Sequence, residues 1–191
     1  MKKFIKSILL LSVVFTFSSC VSDDDTAIPS LKIPIFNDGF DDSWEDWTKH
    51  SVTGAQVWVL DTQFGNPGNC ARMSGFANGN NENEDWLISP AIDLSNETSV
   101  SLSFQTAVSS HSGNLLEVKI SDNYSGGNPN DDTWTNISAT LSSANYDWTD
   151  SGSIDISSFA GGNVFIAFKY TSTSSASKTW EVDNVKIIKN E

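Results

Sequence analysis

Period-two alternation constrains this chain most. Val100, Leu102 and Phe104 alternate with Ser101, Ser103 and Gln105; Leu116, Val118 and Ile120 alternate with Glu117 and Lys119; Val164, Ile166 and Phe168 share one face. Successive side chains of a strand point to opposite faces, so each run reads as a half-buried antiparallel strand. After residue 20 no stretch keeps apolar residues at helical spacing over three turns. Further strands are predicted over 31–36, 55–61, 70–75, 86–94, 134–141, 150–156 and 179–188. Turn chemistry separates them, as in Asn66-Pro67-Gly68-Asn69, Asn78-Gly79-Asn80-Asn81 and Gly126-Gly127-Asn128-Pro129. Nine or ten short strands predict an all-β fold, a two-sheet antiparallel β-sandwich of the jelly-roll kind.

The N-terminus is a separate compositional unit. Lys2, Lys3 and Lys6 accompany an apolar run over 4–17, and Ser18-Ser19 precede Cys20, the pattern of a secretory signal peptide at 1–19. Phe17-Ser18-Ser19-Cys20 resembles a bacterial lipobox, with Phe17 where Leu is usual, which implies lipidation of Cys20. The alternative is an ordinary signal peptide with Cys20 paired to Cys70, since an exported chain with two cysteines invites that bridge. With a lipidated Cys20, Cys70 is expected to be a buried, inert thiol. Residues 20–33 then form an acidic tether and 34–191 one sandwich domain. Within the tether, Ser22-Asp23-Asp24-Asp25 resembles the export signal that sends Bacteroidetes lipoproteins to the outer face of the outer membrane; a solvated charge run is the plainer alternative. The expected location is therefore the outer membrane, lipid-anchored and facing the exterior.

The whole sequence has 11 Lys plus Arg against 24 Asp plus Glu, a net charge of −13. Residues 20–191 keep 8 of those cations and all 24 acids, or −16. Phosphate binding draws on clustered Lys and Arg, so a nucleic-acid partner is not expected.

Four blocks carry a family resemblance: Phe36-Asn37-Asp38-Gly39-Phe40-Asp41, Glu84-Asp85-Trp86-Leu87-Ile88-Ser89-Pro90, Ile120-Ser121-Asp122-Asn123-Tyr124 and Trp180-Glu181-Val182-Asp183-Asn184-Val185. In that order they resemble the choice-of-anchor J domain, which is similar to cleaved-adhesin and MAM-type jelly rolls and to DUF5017-like lipoproteins of Bacteroidetes. The resemblance covers residues 34–188. It implies a galactose-binding-like sandwich acting as a non-catalytic extracellular module.

Oxygen-rich clusters are the first candidate chemistry. Calcium takes six to eight oxygens, and the resemblance implies a structural calcium involving Asp38 or Asp41 with Asp183. Asp85, a carboxylate in an apolar strand that wants a partner, is the fourth candidate ligand. Solvated turn residues are the alternative for each cluster. Seven tryptophans are the second candidate chemistry. Trp86 and Trp180 lie in apolar blocks and are expected to be buried, whereas Trp44, Trp47, Trp134 and Trp148 border acidic or loop segments and are candidate ligand-stacking residues.

Catalysis lacks support. His50 and His111 are the sole histidines, and there is no Gly-x-Ser-x-Gly turn, His-Glu-x-x-His helix or Walker loop. The expected partners are an extracellular glycan or protein, and the membrane through Cys20. An accessory lipoprotein of an outer-membrane complex is the alternative, and a glycan-active hydrolase, which needs only two well-placed carboxylates, is the remote one.

Overall fold

The computed structural model describes residues 33–114 and 116–190. The expected lipidation site Cys20 and the export signal Ser22, Asp23, Asp24 and Asp25 lie outside the described residues.

Thirteen strands form among the described residues: β1 (Phe36–Asp38), β2 (Thr48–Thr53), β3 (Val59–Gly65), β4 (Gly68–Ser74), β5 (Asn83–Ile88), β6 (Ile92–Asp93), β7 (Val100–Val108), β8 (Glu117–Ser121), β9 (Thr135–Ile137), β10 (Thr149–Asp150), β11 (Ile154–Asp155), β12 (Asn163–Ser172) and β13 (Thr179–Lys189). They make two antiparallel sheets. The first has the order β10-β7-β13-β4-β3, with β1 on β13 beyond β4 and β11 on β7 beyond β10; the second has the order β2-β5-β12-β8-β9, with β6 on β12 beyond β5. This is the expected sandwich, with more and shorter strands. The predicted strand over 86–94 is divided because Pro90 cannot donate to the ladder: β5 stops at Ile88 and β6 resumes at Ile92. The strand predicted over 134–141 shrinks to three residues, and β2 was not predicted at all.

The alternating residues face each other across the sandwich as expected. Leu102, Phe104 and Val108 of β7 pack with Val118 and Ile120 of β8 and with Val164, Ile166 and Phe168 of β12. Phe104 meets Phe168 edge to face at 5.3 Å and joins the two sheets. Trp47, Trp180 and Tyr170 fill the remaining interior. A second, smaller cluster lies on the outer face of the second sheet, where Tyr124, Trp134 and Phe165 pack on Trp86, Ile88 and Ala167.

One irregularity shapes the outer face of the first sheet. Val182 and Val185 are both fully buried although three residues apart, which unbroken alternation forbids. A register shift between Asp183 and Lys186 reconciles them, with Asn184 in the left-handed region at φ 52°. The extra residue places Asp183 and Asn184 side by side beneath the β3–β4 turn.

Candidate functional site

The outer face of the first sheet holds a groove. Its floor comes from residues that alternate with the core: Asp61 on β3, Arg72 on β4, Gln105 on β7 and Glu181 on β13. Two hollows lie end to end along β13. One, of about 390 Å³, is lined by Phe64, Arg72, Tyr146, Trp148 and Glu181. The other, of about 470 Å³, is lined by residues that include Gln105, Asp150, Asn184 and Lys186. From Glu181 to Lys186 the strand advances roughly 16 Å at the usual rise per residue.

Two loops wall the first hollow, and each is pinned. The β3–β4 turn is tied across β13: the Asn66 N–H donates to Asp183 Oδ2 at 2.6 Å, Asn66 Nδ2 donates to Gln105 Oε1 at 3.1 Å, and Asn184 Nδ2 donates to the Asn66 carbonyl at 2.7 Å. This fixes the turn that carries Phe64, which is 59% exposed. On the other side Asn145 and Tyr146 both take left-handed backbone, at φ 62° and 55°. The Ser110 hydroxyl donates to Asn145 Oδ1 at 2.6 Å, and the Tyr146 N–H donates to the Val108 carbonyl at 2.8 Å. Tyr146 is thereby held 45% exposed, beside the half-buried Trp148. Preformed aromatic walls above a polar floor are the usual make-up of a small-ligand site.

Charges on the floor are unequally matched. Arg72 lies 3.8 Å from Asp61 and 4.0 Å from Glu181, so one guanidinium faces two carboxylates. Burial pushes the Glu181 carboxyl up to about 7, with Arg72 opposing and Asp61 adding to the rise. Cys70, on the same strand as Arg72, is buried and has no disulfide partner among the described residues; burial together with the Glu181, Asp61 and Asp183 carboxylates pushes its thiol up.

Three of the four candidate calcium ligands converge at one corner. Burial, with the Asp41 and Asp38 charges adding to it, pushes the Asp183 carboxyl up to about 6 against the amides of Asn66 and Asn184. Asp38 is committed to protein donors: Phe40 N–H at 2.7 Å and the Ser43 hydroxyl on Oδ1, and the Trp47 indole at 2.8 Å on Oδ2. Asp41 accepts the Asn69 N–H at 3.0 Å. Among the described residues, no three His, Cys, Asp or Glu side chains are grouped closely enough to hold a metal by themselves. Asp85 stands apart, 1% exposed in β5, with neither carboxyl oxygen hydrogen-bonded; Asn83 Oδ1, two residues along the same strand face, is also without a partner. Burial pushes Asp85 up to about 6, and the Ser51 hydroxyl opposite it on β2 is the one group that favours its anion.

The four candidate stacking tryptophans separate likewise. Trp148 lies in the groove. Trp47 corrects its expectation of exposure: it is 1% exposed, tilted against Phe40 at 5.1 Å, because Asp38 takes its indole and lets the ring enter the core. Trp44 is half-buried with its edges occupied by Phe40 and its ring covered by Lys49 Nζ at 4.6 Å. Trp134 packs against Trp86 at 5.3 Å on the opposite sheet and donates to the Pro129 carbonyl at 2.9 Å. Trp86 and Trp180 are buried with bonded indoles, as expected. Sequence reasoning missed Phe64, Tyr146, Arg72 and Glu181. Arg72 carried a usable signal, being the chain's sole arginine.

Solved structures share this fold. The K3 cleaved adhesin domain of Lys-gingipain from Porphyromonas gingivalis is 13% identical with a TM-score of 0.56, covering 84% of this chain and 100% of that one. The CBM22-1 xylan-binding domain of Paenibacillus barcinonensis Xyn10C is 12% identical, TM-score 0.53, covering 84% and 97%. The TmCBM61 module, solved with β-1,4-galactotriose, is 13% identical, TM-score 0.52, covering 80% and 94%. At these identities the likeness is one of fold. No curated protein matches the chain. Residues 77–190 match the model of the domain of unknown function DUF5017, a span that contains β5 to β13 and, of the groove floor, Gln105 and Glu181, and the chain belongs to that family.

Proposed function

We propose that this protein is a non-catalytic module that binds an extracellular glycan in the groove of the first sheet. The observation that carries the reading is the convergence of Phe64, Tyr146 and Trp148, from two pinned loops, around one hollow with a polar floor. Apolar faces for the rings of a saccharide and hydrogen-bonding groups for its hydroxyls are thus side by side. The shared fold with xylan-binding and galactotriose-bound modules supports it. In the same reading Cys20 is lipidated and Ser22 to Asp25 direct the protein to the cell exterior.

The test is a glycan array, followed by titration of any ligand found. Trp148→Ala and Tyr146→Ala are each expected to lower affinity at least tenfold, about 1.4 kcal/mol, with the melting temperature little changed. Binding unaffected by both variants would place the ligand elsewhere. A protein ligand is the second reading, favoured by the exposed apolar side chains Val59 and Phe64 on the edge strand β3 and Val57 just before it, at 44%, 59% and 48% exposure. Protease shaving of intact cells tests the location, and full protection would refute it.

Calcium at the Asp38–Asp41–Asp183 corner belongs to the proposal as a structural element. Since Asp38 is already bonded three times, Asp41, Asp183 and the Asn184 amide oxygen would supply the protein ligands; the Asp183 and Asn184 oxygens lie 3.6 and 3.8 Å from where a Cβ on Gly39 would stand. Calcium would relieve the repulsion that raises Asp183. A melting temperature equal in calcium and EDTA would refute it.

A further inference from the structure

Arg72 lines the groove with its hydrogen-bonding capacity unspent among the described residues. Its guanidinium carries five N–H donors in a planar fork. None of the hydrogen bonds among the described residues uses them, although its side chain is 39% exposed and lines the aromatic hollow. Its neighbouring carboxylates, at 3.8 and 4.0 Å, stand beyond hydrogen-bond distance and supply charge without occupying the fork. Such an array asks for acceptor oxygens from outside the protein.

The sign of the surroundings narrows the ligand. Asp61 and Glu181 together outweigh the single guanidinium, Asp183 follows Glu181 by two residues on β13, and the second hollow adds Asp150 against Lys186. An incoming carboxylate or sulfate bonded to the fork would be held beside Asp61 and Glu181, a like-charge contact in a partly desolvated floor. A neutral sugar meets no such penalty. Its hydroxyl oxygens accept from the fork while its hydroxyl hydrogens are donated to the flanking carboxylates, so both kinds of group are satisfied at once. We infer that Arg72, flanked by Asp61 and Glu181, makes the groove selective for uncharged saccharide chains and against uronate- or sulfate-bearing ones. This rests on the reading of the groove as a glycan site.

The experiment is a glycan array with neutral and acidic members at pH 7.5, on the wild-type chain and on Trp148→Ala, Arg72→Ala, Arg72→Lys and Asp61→Asn. The expected result is that neutral glycans alone bind, that Trp148→Ala abolishes this, and that affinity is unchanged between 50 and 500 mM NaCl. Arg72→Lys, which keeps the charge and loses the fork, is expected to lose affinity at least tenfold, as Arg72→Ala does. Asp61→Asn is expected to admit the C6-oxidised, uronate form of a bound neutral chain at least tenfold better than wild type. Melting curves identify any variant that fails to fold, and the wild-type array stands without them. Acidic glycans bound as tightly as neutral ones, in a manner that Trp148→Ala abolishes, would overturn the inference and leave the groove reading intact. Binding insensitive to Trp148→Ala, or no glycan bound at all, would overturn the groove reading and this inference with it.

Discussion

Asp85 is a buried carboxylate with no hydrogen bond on either oxygen among the described residues, and replacing it with asparagine is expected to stabilise the protein. Its carboxyl is pushed up to about 6 from an ordinary 3.8. The folded chain therefore holds this proton more tightly than the unfolded one does. The sign follows from linkage: stability is fully present below about 3.8 and falls as pH rises through about 6. At ~1.4 kcal/mol per tenfold change in proton affinity, the difference corresponds to ~3 kcal/mol lost at pH 8. Asp85→Asn removes the charge, keeps the volume and offers an N–H to Asn83 Oδ1, the unpartnered acceptor two residues away. The expected gain is about 1–3 kcal/mol at pH 8 in EDTA, shrinking nearly to zero at pH 4. Urea unfolding followed by tryptophan fluorescence at both pH values measures it. A loss at pH 8 in EDTA, or an equal gain at both pH values, would refute the reasoning. The same titration in calcium tests Asp85 as a metal ligand, because a bound ion would stabilise the wild type above the variant.

Three further outcomes are expected. Trp47→Phe keeps a ring in the core but leaves Asp38 Oδ2 without its indole donor, at a cost of about 1–3 kcal/mol in urea unfolding; an unchanged midpoint would mean that water replaces the indole. Phe104→Ala removes the edge-to-face contact with Phe168 between the sheets and is expected to cost about 3–5 kcal/mol, read as a lowered thermal midpoint. The Cys70 thiol, buried and pushed away from its thiolate by three carboxylates, is expected to react with a disulfide reagent at pH 8 only after unfolding, and prompt labelling of the native protein would contradict its burial.

The sandwich was legible wherever one strand face is apolar and the other wet. β7, β8 and β12 announce themselves through Val100 to Gln105, Leu116 to Ile120 and Val164 to Phe168. β2 was silent because Thr48-Lys49-His50-Ser51-Val52-Thr53 is an edge strand with no buried residue, so it carries no apolar alternation to read. The groove was half legible for a related reason. Trp148 drew notice as a tryptophan near a loop, whereas Phe64 and Tyr146 lie 82 positions apart and meet only because β4, β13, β7 and β10 are neighbours in the sheet. Local context misled at Trp47, where flanking acids suggested water; the carboxylate that matters, Asp38, sits nine residues earlier and draws the ring inward. Asp183 was legible as a carboxylate among valines, but not the register shift that turns it and Asn184 together onto the outer face.

The place of β13 in the first sheet bears on how the molecule comes into being. It is the last strand in sequence, yet it is paired with β7 along one side and with β4 and then β1 along the other. A chain lacking the residues from Thr179 onward has no neighbour for β1, leaves β4 paired to β3 alone and leaves one face of the core open, with Trp180, Val182, Val185 and Ile187 absent from it. Closure of the sandwich therefore waits for the final strand, and contacts as remote as Phe36 with Ile187 form late and slowly. A chain in which β13 has not yet docked stays open, and the groove, whose floor includes Glu181, comes into existence only when that strand is in place.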